Sequence, residues 1–298
     1  MPWLFYAILS YALYSVTNFI DKFLVEKQTY EPVTLIILGG FLSFFVALLL
    51  FVWKGFPVVE QLQIFLLILI GILLSFYCLP YFKALLLEDT SRVVPLFQFF
   101  PIFVLVLSYI FLKQTLTANQ LLGFGFITAG GFILGSERLS IKVFRLRKSF
   151  WYMMLSSFLY ALTSILFKFV TVTDFWVSMS YQTLGITLGA FLLLLFKPYR
   201  RIFLKDITHL KKKTAAVLAV SQCITLGADF SYFFAITLAS AALVSVMQGT
   251  QPVFVMLYGL LLTLFFPKII KEDISRKTLG IKIAAIFILF VGIVLIYY

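Results

Sequence analysis

The sequence predicts an all-α membrane protein: ten transmembrane helices arranged as two inverted five-helix repeats around a central cavity. Three observations carry that prediction. The 298 residues are 62% hydrophobic and 12% charged, with a mean hydropathy of +1.07. A soluble domain carries about 25% charged residues, so lipid must be the solvent for most of this chain. The apolar runs are also long enough for helices to cross a hydrocarbon core of ~30 Å, and they lack the ~10-residue alternating segments of a membrane barrel. Finally, one stretch occurs twice. Residues 81–105 and 232–256 align without a gap at a shift of 151. Tyr81, Phe82, Ala84, Leu87, Val93, Pro101, Phe103 and Val104 meet identical residues at Tyr232, Phe233, Ala235, Leu238, Val244, Pro252, Phe254 and Val255. LYSVTNFIDKF (13–23) likewise pairs with LYALTSILFKF (159–169), at a shift of 146. Two matches in the same order point to two copies of one unit.

The first apolar run starts at Trp3, directly after Met1 and Pro2, with no basic n-region and no small-residue cleavage site. It therefore reads as a retained helix. The expected spans are 3–20, 32–53, 63–82, 93–112, 118–136, 150–168, 175–196, 214–237, 241–265 and 278–297. Short polar breaks separate them, such as Glu31-Pro32, Lys54 to Pro57 and Glu88 to Ser91. Two connections are longer and basic, at 136–149 and 197–213. The first divides the chain into a repeat at 1–136, a basic inter-repeat loop at 137–149 and a second repeat at 150–298. An odd number of spans per copy turns the second copy upside down, as in the inverted repeats of secondary transporters.

Net charge is +12. The basic residues crowd the short loops on one side of the expected spans, from Lys22 and Lys27 through Arg138 to Lys148, Lys197 to Lys213, and Lys268 to Lys277. The other side holds Lys54, Lys113 and Lys168. This is the positive-inside pattern, which places both termini on the non-cytoplasmic face, and it removes the reason to expect nucleic acid. Lys83 and Lys168, at span ends, are expected to reach for the interface. Small residues one turn apart, Gly131 with Gly135, Gly185 with Gly189 and Gly280 with Ala284, are expected to let helices of the same chain pack closely.

Five spans per half, a Tyr-x-x-Ala-Leu-like box (Tyr81 to Leu85, Tyr232 to Ile236), a proline-centred fourth helix (Pro101, Pro252) and a glycine-rich fifth helix (Gly123 to Gly131, Gly280 to Gly292) together resemble the drug/metabolite transporter superfamily, in its EamA-like branch. The resemblance implies a secondary transporter of a small polar metabolite working by alternating access. The expected substrate is an amino acid or related metabolite, exported across a bacterial cytoplasmic membrane. The alternative it implies is an organelle-type exchanger of nucleotide sugars or sugar phosphates. Two departures stand out. Lys113-Gln114 occupies the place where relatives often carry Gly-Glu, with Phe266-Pro267-Lys268 as its second-half counterpart. Relatives are also usually drawn with both termini in the cytoplasm, and the charge pattern here says the opposite.

Polar residues inside lipid spans must face the bundle interior or a cavity. They form stripes: Tyr11, Tyr14 and Asn18; Ser156, Tyr160 and Ser164; Gln222, Thr225, Asp229 and Tyr232; Ser245, Gln248 and Gln251 before Pro252. Gln98 near Pro101, with Tyr77 and Tyr81, completes the set. The expected substrate-binding residues are Tyr14, Asn18, Tyr81, Gln98, Tyr160, Ser164, Asp229, Tyr232, Gln248 and Gln251. Pro101 and Pro252 are expected to kink their helices and free backbone carbonyls. Asp229 is the candidate for proton coupling, because an ionised carboxylate inside a span is costly unless paired or hydrated. The alternative is a hydrogen-bonded packing residue. The expected partners are a small-molecule substrate, protons and the bilayer, with no cofactor. No Walker A loop is present, so ATP is not the direct energy source. An enzyme would need paired carboxylates, a histidine-containing metal set or a nucleophile with its base. The spans hold one central Asp and no His, since His209 lies in a basic loop and Cys78 and Cys223 are single residues in apolar runs. A channel is the remaining rival, and an internal inverted repeat favours a carrier over it.

Overall fold

The computed structural model describes residues 1–28, 31–87, 93–135, 147–170, 174–265 and 276–297. Within them the chain is helical and contains no strand. The elements are α1 (Pro2–Gln28), α2 (Pro32–Lys54), α3 (Gln61–Phe76), α4 (Cys78–Leu87), a 3-10 turn (Val94–Gln98), α5 (Phe99–Leu112), α6 (Ala118–Gly135), α7 (Lys148–Val170), α8 (Phe175–Leu195), α9 (Lys197–Ile207), α10 (Lys212–Leu238), α11 (Ala241–Val246), a second 3-10 turn (Met247–Thr250), α12 (Gln251–Phe265) and α13 (Arg276–Tyr297). Among the described residues nine helices are long and apolar enough to cross a membrane, and Leu96–Leu112 is a shorter apolar one. Together they correspond to the ten expected spans. Most of the expected basic connection at 137–149 lies outside the described residues, as do the Glu88 to Ser91 break and Phe266 to Lys268.

Local chemistry sets the ends. Pro32 starts α2, where a missing N–H costs nothing. Gly55 ends it in the left-handed region at φ 71°, letting the Phe56 N–H return to the Phe51 carbonyl. The Asp174 carboxylate caps α8 by accepting from the N–H groups of Trp176 and Val177. Lys113 ends α5 at φ 52°, a conformation that favours glycine.

Proline breaks three spans. Pro80 cannot donate to the Phe76 carbonyl, and the third span divides at Tyr77 into α3 and α4. At that break the Tyr77 carbonyl accepts the Ser156 hydroxyl at 2.9 Å. Pro101 and Pro252 each follow a 3-10 turn, Val94–Gln98 and Met247–Thr250, at matching places in the doubled stretch. The Phe97 carbonyl, four residues before Pro101, accepts from Gln248 Nε2 at 3.4 Å. This is the freed carbonyl the proline pattern leads one to expect.

The most extensive helix pairs are α6 with α13, α1 with α10, α2 with α8 and α3 with α8. Their registers give their directions. Tyr14 meets Asp229 while Asp21 meets Ser221, so α1 and α10 run antiparallel. Ser164 meets Tyr232 while Lys168 meets Ile236, so α7 and α10 run parallel. Pairings recur with the two halves exchanged: α1 against α10 answers α7 against α3 and α4, and α5 against α7 answers α12 against α1.

Three expectations change. The basic connection at 197–213 is not all loop. Its apolar residues Tyr199, Ile202 and Phe203 fall three and four apart and form one face of helix α9, which packs with Val33, Ile37 and Leu193. Asp206 of α9 accepts from the Glu31 N–H at 3.1 Å and the Thr34 hydroxyl at 2.6 Å, so it serves the start of α2. Lys168 does not reach outward. Its ammonium donates to the carbonyls of Ile236 at 2.7 Å and Ala239 at 2.9 Å, closing the C-terminal end of α10, where a cation is favoured. Gly280 and Ala284 do not mediate helix packing. A Cβ at Gly280 would meet nothing within 4 Å, and Ala284 is exposed.

Candidate functional site

The polar stripes converge where α1, α7 and α10 meet. Tyr14 of α1 stands between two partners. Its hydroxyl donates to the Asp229 carboxylate of α10 and lies 3.1 Å from the Tyr160 hydroxyl of α7. One turn along each of the two parallel helices, Ser164 and Tyr232 share a hydrogen bond of 2.8 Å. Tyr11 donates to the Ser245 carbonyl at 3.2 Å, tying α1 to α11. Asp229 is 6% exposed and Tyr232 fully buried. Tyrosine suits this junction because its ring packs like any core residue while its hydroxyl finds a partner.

Rings surround the hydroxyls. The Tyr160 ring lies 4.8 Å from that of Tyr77, 4.6 Å from Phe100, 5.9 Å from Tyr232 and 6.4 Å from Phe97, centroid to centroid. Tyr77 and Tyr232 stack on it at small interplanar angles. Tyr11 reaches the cluster through Tyr232 at 6.1 Å.

The sequence-predicted residues divide accordingly. Tyr14, Tyr160, Ser164, Asp229 and Tyr232 form one bonded cluster. Gln248 is close by, bonded to the Phe97 carbonyl, with its own side-chain carbonyl buried and unpartnered. Gln98 is buried, and its side-chain carbonyl is also unpartnered. It presses so closely on α6 that a Cβ at Gly131 would lie 2.8 Å from its oxygen. Tyr81 packs on Phe97 at 5.6 Å, away from the carboxylate and beside Met153. Asn18 is half-buried one turn beyond Tyr14. Gln251 contributes its backbone carbonyl, which accepts from Ser15 at 3.2 Å.

The stripe on α10 does not act as one face. Gln222 donates to the Ser43 hydroxyl of α2 at 3.0 Å, Asp229 meets α1, and Tyr232 meets α7. Thr225 turns back to the Ser221 carbonyl of its own helix. Sequence reasoning missed Phe97 and Phe100 as walls of the site. Their place just before Pro101 in the doubled stretch was the available signal. Asp21 lies in the same α1–α10 seam and accepts from the Ser221 hydroxyl at 3.3 Å. Among the described residues no three or more of His, Cys, Asp and Glu gather as a metal site would need.

A bundle of about ten membrane-spanning helices with a buried carboxylate at its seam defines an integral multi-pass membrane protein. Residues 1–136 match the EamA-like transporter family, so this part of the chain carries the pattern of the drug/metabolite transporter superfamily. No curated protein matches the chain in sequence. A solved crystal structure, 14% identical, superposes with a TM-score of 0.67 over 97% of this chain and 98% of its own. At that identity the likeness is one of fold.

Proposed function

We propose that the protein is a secondary active transporter that exports an amino acid or related small polar metabolite across a bacterial cytoplasmic membrane by alternating access. Residues 1–136 and 150–298 act as two inverted repeats that rock about the seam between them. The exchange of helix pairings between the two halves supports this division.

The observation that carries the reading is Asp229 itself. It is a buried carboxylate bonded to a tyrosine hydroxyl at the contact of α1 with α7 and α10, the helices that bring the halves together. A hydroxyl is an exchangeable partner. It satisfies the carboxylate while the seam is closed, and it can yield to a proton or a substrate ammonium when the seam opens. A charge held by a fixed cation would have no such freedom.

Counterflow of labelled amino acids in proteoliposomes tests this. The wild type should accumulate label against unlabelled internal substrate, and Asp229→Asn should lose pH-dependent or substrate-driven flux while keeping a wild-type unfolding profile. Transport by Asp229→Asn at the wild-type rate, with the same pH profile, would make the residue structural and defeat the proposal.

A further inference from the structure

We infer that the Tyr14–Asp229–Tyr160 site takes a monovalent organic ammonium carried on an aromatic or alkyl body, and that it prefers this cation to the zwitterionic amino acid with the same body. The inference rests on the transporter reading and, within its substrate class, turns from the amino acid to a related metabolite that lacks the carboxylate.

The first argument is the sign of the site. Asp229 is the one charged residue in α10 beyond the lysines that begin it. Neither α3, α5, α11 nor α12 contains a charged residue. On α7 the nearest charge is Lys168, two turns beyond Tyr160, and its ammonium is engaged with carbonyls at the far end of α10. Leu238, where that helix ends, is nine residues from Asp229, about 13 Å along the axis. On α4, Lys83 is exposed and lies over the Tyr152 ring. On α1, Asp21 accepts from Ser221 two turns away, with Lys22 beside it in the chain. A substrate carboxylate or phosphate would enter this seam with no counter-ion and would have to leave water for it. An ammonium would find its counter-ion in place.

The second argument is the wall. Tyr77, Tyr160, Tyr232, Phe97 and Phe100 pack ring against ring, and the Tyr160 hydroxyl joins this cluster to the carboxylate by way of the Tyr14 hydroxyl. Ring faces carry negative potential and attract cations, more strongly once desolvated. Aromatic rings next to a carboxylate therefore favour the same sign at both contacts. They offer stacking to the body of the ligand and nothing to a second, anionic group.

The third argument is exchange. The Tyr14 hydroxyl donates one hydrogen bond to Asp229. A substrate ammonium has up to three donors, enough to take the carboxylate from Tyr14 and to reach the Tyr160 hydroxyl as well. Displacing Tyr14 loosens the contact that joins α1 to α7 and α10, so binding and opening of the seam are linked.

The test uses the purified full-length protein in detergent. Thermal unfolding is followed with phenethylamine, benzyltrimethylammonium, phenylalanine and glucose 6-phosphate, since a ligand of the native state raises the midpoint. Both cations should raise it, with an apparent affinity for phenethylamine at least about tenfold above that for phenylalanine. Asp229→Asn should lose the response and Asp229→Glu should keep part of it. Tyr14→Phe, which removes the competing hydroxyl, should bind the cations at least as tightly as wild type, and it serves if Asp229→Asn fails to fold. An equal or stronger response to phenylalanine or glucose 6-phosphate, or none to either cation, overturns the inference. Counterflow keeps the two readings apart. Counterflow of a neutral or anionic substrate alone would leave the carrier standing and sink the cation site. Binding of labelled phenethylamine without counterflow would leave the site standing and sink the carrier.

Discussion

Replacing Gly185 by alanine places a methyl group where the backbone of α3 already lies. An ideal Cβ at Gly185 falls 2.3 Å from the Ile68 carbonyl oxygen and 2.9 Å from that residue's carbonyl carbon and Cα. Ordinary contact begins at 3.4 Å, so the helices must separate by about 1 Å, which forfeits a quarter to a half of each dispersion contact along the seam. The atoms in the way are backbone and cannot rotate aside. The rest of the seam is as tight. A Cβ at Gly71 would lie 2.0 Å from the Gln182 carbonyl oxygen, and one at Gly189 would lie 2.6 Å from Ser75 Oγ. Overpacking of this kind costs about 1–3 kcal/mol, against a gain of up to about 1 kcal/mol from the better helix propensity of alanine. Gly125 provides the control, because a Cβ there meets nothing within 4 Å. Gly125→Ala should gain the propensity term alone. The difference between the two variants then isolates the steric cost, about 1–3 kcal/mol with Gly185→Ala the less stable. Tryptophan fluorescence during denaturant or thermal unfolding in one detergent reads this directly. The site should feel the change too, because α3 leads into Tyr77, whose ring stacks on Tyr160, and transport should fall along with stability. Equal stability of the two variants would refute the close approach of α3 to α8 and, with it, the placement of Tyr77.

Two further expectations concern the polar ends of the bundle. The Lys54 ammonium, 2.6 Å from Asp174, together with the Trp176 and Val177 N–H groups, holds the Asp174 carboxyl below its usual value. A lowered native value means that this stabilisation is complete above the ordinary carboxylate pKa of about 3.9 and disappears as the pH falls through the native one. Both side chains are partly exposed, so Lys54→Met should cost well under about 1 kcal/mol at neutral pH. The wild-type and variant unfolding midpoints should converge in acid, and a gap that persists there would deny the pairing. The crowding of Lys and Arg on one side also predicts that a reporter fused after Tyr298 is active outside the cytoplasm. Activity only inside would show that the charge bias does not orient this chain.

Much of the architecture was legible in the chain itself, because lipid imposes few solutions. A run such as 32–53 must be a helix, since its backbone polar groups have no other partners in hydrocarbon. Pro101 and Pro252 announced their broken helices because a missing N–H has a local effect whatever surrounds it. Tyr14, Tyr160, Ser164, Asp229 and Tyr232 were also legible as a group, since polar side chains in a span have to turn inward. Helical periodicity fixes the angle at which a side chain leaves its own axis, and it carries no information on the neighbour it meets. The tertiary structure therefore decided the rest. It sent Gln222 to Ser43, Asp229 to Tyr14 and Tyr232 to Ser164, three different helices from what had read as one face. It brought Phe97 and Phe100 against Tyr160 across the halves, turned Lys168 inward onto the end of α10, and folded 197–207 into a helix against Val33 and Leu193. Each of these depends on contacts between residues distant in the chain, where the packing of whole helices outweighs the preference of any one segment.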